Sequence, residues 1–67
     1  MITEIGIVAG EIWHDLDKNG MTVFSQIVKR LGRPKDIVLM SLGWLAREGH
    51  VILRQEGQDY QVELRRG

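Results

Sequence analysis

The chain has 67 residues, no cysteine, and nine Lys and Arg balanced by nine Asp and Glu. That composition excludes a disulfide or thiolate-metal framework, and it removes the global positive excess expected of a strong non-specific nucleic-acid binder. No apolar run approaches the length that spans a bilayer, and the N-terminus lacks the basic region, apolar region and cleavage pattern of a signal peptide, so a cytoplasmic protein is expected.

One domain, residues 1–67, is expected. A domain this small buries only about 60% of the surface its unfolded chain exposes, so a second copy is a natural way to enlarge its core. The charges are not evenly spread. Residues 1–20 carry a net charge of −3, residues 21–47 a net of +4, and residues 48–67 a net of −1.

Thr3 is a good N-cap for a first helix over about residues 3–18, because Ile5, Val8 or Ala9, Ile12 and Leu16 recur at three- and four-residue spacing. Glu11, Asp15 and Lys18 fall on its other side, and Asn19-Gly20 ends it. Gly6 and Gly10 lie inside this helix, where each costs up to about 1 kcal/mol of helix propensity relative to Ala; close approach of another backbone is their expected use.

Met21-Thr22-Val23 suits a minimal strand, with Thr22 able to cap the helix after it. Phe24, Ile27, Val28 and Leu31 then recur at helical spacing, and Gly32 stops this second helix. Pro34 favours the first turn of a third helix, which runs to Glu48 and is closed by Gly49. Two short helices joined around a Gly make a helix-turn-helix. His50 to Gln55 and Asp59 to Arg65 are β-rich runs joined by Glu56-Gly57-Gln58, and they read as a hairpin. The fold class is therefore α+β: a winged helix-turn-helix of three helices, a short strand and a C-terminal two-stranded wing.

Ala9-Gly10-x-x-Trp13, Met21-Thr22-Val23 and above all Leu42-Gly43-Trp44-Leu45-Ala46-Arg47-Glu48-Gly49 resemble a family of small stand-alone winged-helix domains of bacteria and archaea, to which no function has been assigned. The resemblance covers nearly the whole chain. It implies the fold and carries over no catalytic or ligand residues.

The third helix occupies the place of a recognition helix, whose exposed positions are usually polar or basic so that they reach base edges and phosphates. Taking Val38, Ser41, Leu42 and Leu45 as its buried stripe leaves an outward side that is mostly apolar, including Ile37, Met40, Gly43 and Trp44. Trp44 taken by itself reads as core, folded over the hairpin or the first helix. The apolar run as a whole reads as an interface, the expected partner being a second copy of the chain. Such a dimer can also form through the first helix, using Gly6, Gly10 and the face around Ile7.

Double-stranded DNA is the alternative partner. Lys29, Arg30, Arg33 and Lys35 surround the turn between the second and third helices, and Arg54 adds a cation from the wing. Contacts of this kind reach phosphates, and binding through them is weak and salt-sensitive. Four cations at such a turn also serve as plain solvated surface that complements the C-terminal dipole of the second helix.

Asp15-Leu16-Asp17-Lys18-Asn19-Gly20 matches the opening of a calcium-binding EF-hand loop, but the position that should supply a bidentate Glu is Gln26, and a capped helix end accounts for the same residues. His14 and His50 are far apart with no Cys to join them, so no metal site is expected. Nucleophile elbow and phosphate-cradling glycine loop are both lacking, and neither Ser25 nor Ser41 has a His nearby in sequence. The expectation is a binding module: no catalytic residue, no cofactor, no indicated small-molecule ligand and no membrane partner.

Overall fold

In a computed structural model that describes residues 2–66, the apolar stripes of the three helices converge on one core. Helix α1 is Ile2–Asn19, strand β1 Thr22–Val23, helix α2 Phe24–Leu31, helix α3 Lys35–Arg47, strand β2 Val51–Glu56 and strand β3 Asp59–Leu64. From α1 come Val8, Ala9, Ile12 and Leu16, from α2 Phe24 and Ile27, and from α3 Ile37, Val38, Leu42 and Leu45. The sheet contributes Val51 and Val62. Ser41 is the one buried polar residue among those described, and its hydroxyl donates to the Ile37 carbonyl at 2.7 Å, so it enters the core with its donor satisfied.

The three strands are antiparallel in the order β1-β3-β2. Val62, at the centre of β3, pairs with Thr22 on one side and Leu53 on the other. The hairpin turns at Gly57-Gln58 between the paired Glu56 and Asp59, and Gly57 takes φ 61° at the first turn position, where a side chain would be strained. Gly32 (φ 65°) closes α2 in the same left-handed region, and its N–H donates to the Val28 carbonyl. Only Arg33 and Pro34 then separate it from α3, which completes the tight helix-turn-helix.

Two expected caps are not made. Thr3 lies inside α1, which begins at Ile2. Thr22 is held in β1 by its pairing with Val62, so Val23 becomes the cap position of α2 and gives no side-chain bond. Asp59 fills the role from the wing. Its carboxylate accepts from the Ser25 N–H at 3.2 Å and from the Ser25 hydroxyl at 2.5 Å, and it places negative charge at the positive end of α2. The carboxyl of Asp59 is accordingly held below its ordinary range, first by the Ser25 hydroxyl and next by the Tyr60 N–H.

Candidate functional site

Successive residues of an α-helix turn by about 100°, so α3 presents three different environments. The core arc is wider than the sequence suggested. Ile37 retains only 6% of its surface and packs with Val38, Leu42 and Leu45; its expected place on the outward face is corrected by the phase of the helix, which sets Ile37 one turn before the buried Ser41. Met40 (41% exposed), Gly43 and Trp44 (48% exposed) do lie at the surface. Reading Trp44 by itself as core is therefore also corrected: its ring leans over His50, with centroids 6.3 Å apart and planes 36° from parallel, and the rest faces outward.

α1 continues this surface. Trp44 lines a shallow depression of about 280 Å³ with Gly6, Gly10, Trp13 and His50, and a second of about 390 Å³ with Ile2, Ile5 and Gly6. Gly6 and Trp44 belong to both, so Trp44 of α3 and the Gly6–Gly10 stretch of α1 share one surface, whereas Met40 and Gly43 line neither depression. Ile7, also exposed, lines neither depression. An added Cβ at Gly6, Gly10 or Gly43 meets nothing within 4 Å, so packing inside the chain gives no reason for glycine at these three helical positions.

The cations divide between two sides of α2. Arg30 donates to Asp15 through Nε (2.9 Å) and Nη2 (2.7 Å), and Arg33 donates to Glu11 in the same forked manner (2.9 and 2.6 Å). The acidic side of α1 is thus what these two arginines face. Arg33 holds the Glu11 carboxyl below its ordinary range, and both guanidiniums are raised above theirs, chiefly by the bonds to their carboxylates. On the wing, Arg54 pairs with Glu63 at 2.9 Å. Lys29 and Lys35 are in no ion pair among the described residues.

Those two lysines border a half-enclosed groove of about 500 Å³ between α2, the start of α3 and the wing tip. Phe24, Val28, Leu39 and Tyr60 form its apolar lining. Sequence reasoning missed this groove because its walls come from three segments, and the only advance signal was Leu39 and Tyr60 as apolar residues left over on two elements.

The EF-hand-like segment serves the helix end. α1 runs through Asn19, Asp15 is engaged by Arg30 and by the Asn19 amide at 3.0 Å, and Asp17 pairs with Arg66 at 2.8 Å. Among the described residues no group of three His, Cys, Asp or Glu side chains is placed to hold a metal ion, and no helix is long and apolar enough to cross a membrane.

Three helices, a helix-turn-helix closed at Gly32 and a hairpin wing against the helical layer define a winged helix-turn-helix protein. Residues 1–64 match the winged helix-turn-helix domain family DUF2582, and the chain belongs to that family. It is similar to the uncharacterized protein MJ1608 of Methanocaldococcus jannaschii, with 30% identity over 64 residues that cover 92% of this chain and 91% of the archaeal one. No solved structure matches the sequence significantly.

Proposed function

We propose that this protein is a non-enzymatic, cytoplasmic interaction module that pairs with a second copy of itself through the α1–α3 face. The observation that carries the reading is the half-exposed Trp44 at the junction of two apolar depressions lined also by Trp13 and Ile2, with the exposed Met40 one helical turn before it on α3. Met and Trp are favoured where protein meets protein, and a contiguous apolar surface on a small soluble chain marks a contact. Gly6 and Gly10 leave room on α1 for a partner backbone. A second copy is the favoured occupant because the same apolar patch on both chains is self-complementary and a chain of net charge zero sets up no long-range repulsion between copies. Sedimentation at micromolar concentration is expected to give a dimer, and Met40→Lys a monomer of unchanged fold. A wild-type chain that sediments as a monomer at high micromolar concentration overturns the reading.

A second reading, contact with duplex DNA, is favoured by the position of α3 and by the two unpaired lysines beside it. Arg30, Arg33 and Arg54 join such a contact only by giving up their carboxylates. With two phosphates neutralised by Lys29 and Lys35, the logarithm of affinity should fall with that of salt concentration at a slope of about −2. A duplex that shifts no amide signal of these lysines at low salt refutes it.

A further inference from the structure

The groove between α2, α3 and the wing does not include Trp44, and the proposed dimer contact would leave it unused. Its apolar residues are not the leftovers of an imperfect core. Phe24 is buried and presents its ring to Tyr60 edge to face, at 6.2 Å between centroids and 74° between planes, while Leu39 stands opposite on α3 with 47% of its surface exposed. A flat ring between Leu39 and Tyr60 would cover apolar surface on both sides and meet the Tyr60 face or edge at ordinary aromatic geometry. The volume, about 500 Å³, lies in the range of sites that enclose a single small organic molecule.

The rim supplies the charge. Lys29 from α2 and Lys35 from α3 reach the groove from two elements, and neither is in an ion pair among the described residues, although Lys35 lies near enough to Asp59 to help lower its carboxyl. Asp59 also borders it, but its oxygens accept from the Ser25 hydroxyl, the Ser25 N–H and the Tyr60 N–H, so its charge is turned to fastening the wing tip onto α2. Two lysines less one aspartate leave a single net positive charge around an aromatic-lined hollow. The Asp59–Ser25 bonds also fix the wall that carries Tyr60, so the groove exists before anything enters it.

From this geometry we infer that the groove is a binding site for a small aromatic carboxylate, its ring between Leu39 and Tyr60 and its carboxylate between the ammonium groups of Lys29 and Lys35. The site is independent of the self-association described above, and either can fail while the other stands.

The test uses 1-naphthaleneacetate and its neutral counterpart 1-naphthaleneacetamide as matched probes, titrated into the full-length isotope-labelled chain and followed by amide shifts. The carboxylate is expected to give saturable shifts centred on Ser25, Leu39 and Tyr60, with the amide binding about fivefold more weakly, the preference two exposed charge pairs support. The double variant Lys29→Gln/Lys35→Gln should equalise the two probes, and Leu39→Glu should abolish binding of both; all three positions are at the surface, so the fold is retained. Equal affinity of wild type for the two probes, shifts centred on Trp44 instead, or no saturable shift in the millimolar range overturns the inference. Shifts of the groove produced by a single-stranded oligonucleotide or an acidic peptide, with none from naphthaleneacetate, overturn the small-molecule assignment.

Discussion

Replacing Gly6 and Gly10 together by Ala separates what the glycines do for the fold from what they do for a partner. In the single chain each new Cβ enters open space, with nothing within 4 Å, and neither position has positive φ. Each substitution should therefore gain most of the helix-propensity difference between Gly and Ala, about 1 kcal/mol, or roughly 2 kcal/mol for the pair. A 60–100-residue domain gains about 4–8 °C in Tm per kcal/mol, so thermal unfolding in dilute solution should move up by about 8–16 °C. In the proposed dimer the same methyl groups would stand between two backbones, on both copies at once. Overpacking costs typically about 1–3 kcal/mol, which would weaken association by roughly fivefold or more. Circular dichroism melts across a concentration series, paired with sedimentation velocity, read the two effects separately. A variant that melts higher and also associates more tightly refutes close approach as the use of the glycines. One that melts lower refutes the claim that the single chain has no need of them.

Other perturbations test the remaining parts of the structure. Glu11 is held below its ordinary value of 4.5 by Arg33, so the stability it contributes is present above that value and lost as pH falls through the lower folded value. The urea-midpoint gap between wild type and Glu11→Gln should accordingly be constant near neutrality and close in acid, and a gap that persists unchanged in strong acid contradicts the pairing. Asp15→Ala removes a carboxylate with only 8% of its side chain exposed and with bonds to Arg30 and Asn19, and should cost about 1–2 kcal/mol in urea unfolding, with weaker salt dependence than an exposed pair shows. Ile12→Ala, at a fully buried position, should cost about 2–5 kcal/mol out of a total of roughly 3–10 for a chain of this size, whereas Leu39→Ala should cost under about 1 kcal/mol. Equal losses for the two leucine and isoleucine variants in equilibrium unfolding would contradict the placement of the core.

The elements themselves were legible because their punctuation is local. Asn19-Gly20, Gly32, Gly49 and Gly57 each end or turn an element where a periodic apolar run stops, and of the α1 stripe read at helical spacing Val8, Ala9, Ile12 and Leu16 are buried while Ile5 is only partly so. Ile37 was misplaced for a physical reason. Ile37, Val38, Leu39 and Met40 are all apolar, so the run carries no phase information, and only packing on both α1 and the sheet widens the buried arc to take in Ile37 and leave Leu39 outside.

The cations teach a related lesson. Adjacency in sequence grouped Lys29, Arg30, Arg33 and Lys35, while the helical turn and the acidic side of α1 sort them into two bound arginines and two unpaired lysines. The opposite charges of the first two segments were a signal of that pairing. The caps were less accessible, since Asp59 reaches the start of α2 from 34 residues away and no local pattern announces it.

The central strand of the sheet is also its latest in chain order, and this has a consequence for synthesis. β1 and β2 do not pair with one another; both bond only to β3, and Val62, wholly enclosed by the other elements, arrives after residues 1–58 have been made. Until then a nascent chain has helices without a floor and two strands without a partner, with the apolar positions of Thr22–Val23 and Val51–Glu56 open to solvent. Closure of the sheet therefore waits until β3 has been made, and a chain cut short before residue 59 is expected to expose apolar surface and to be cleaved readily by proteases.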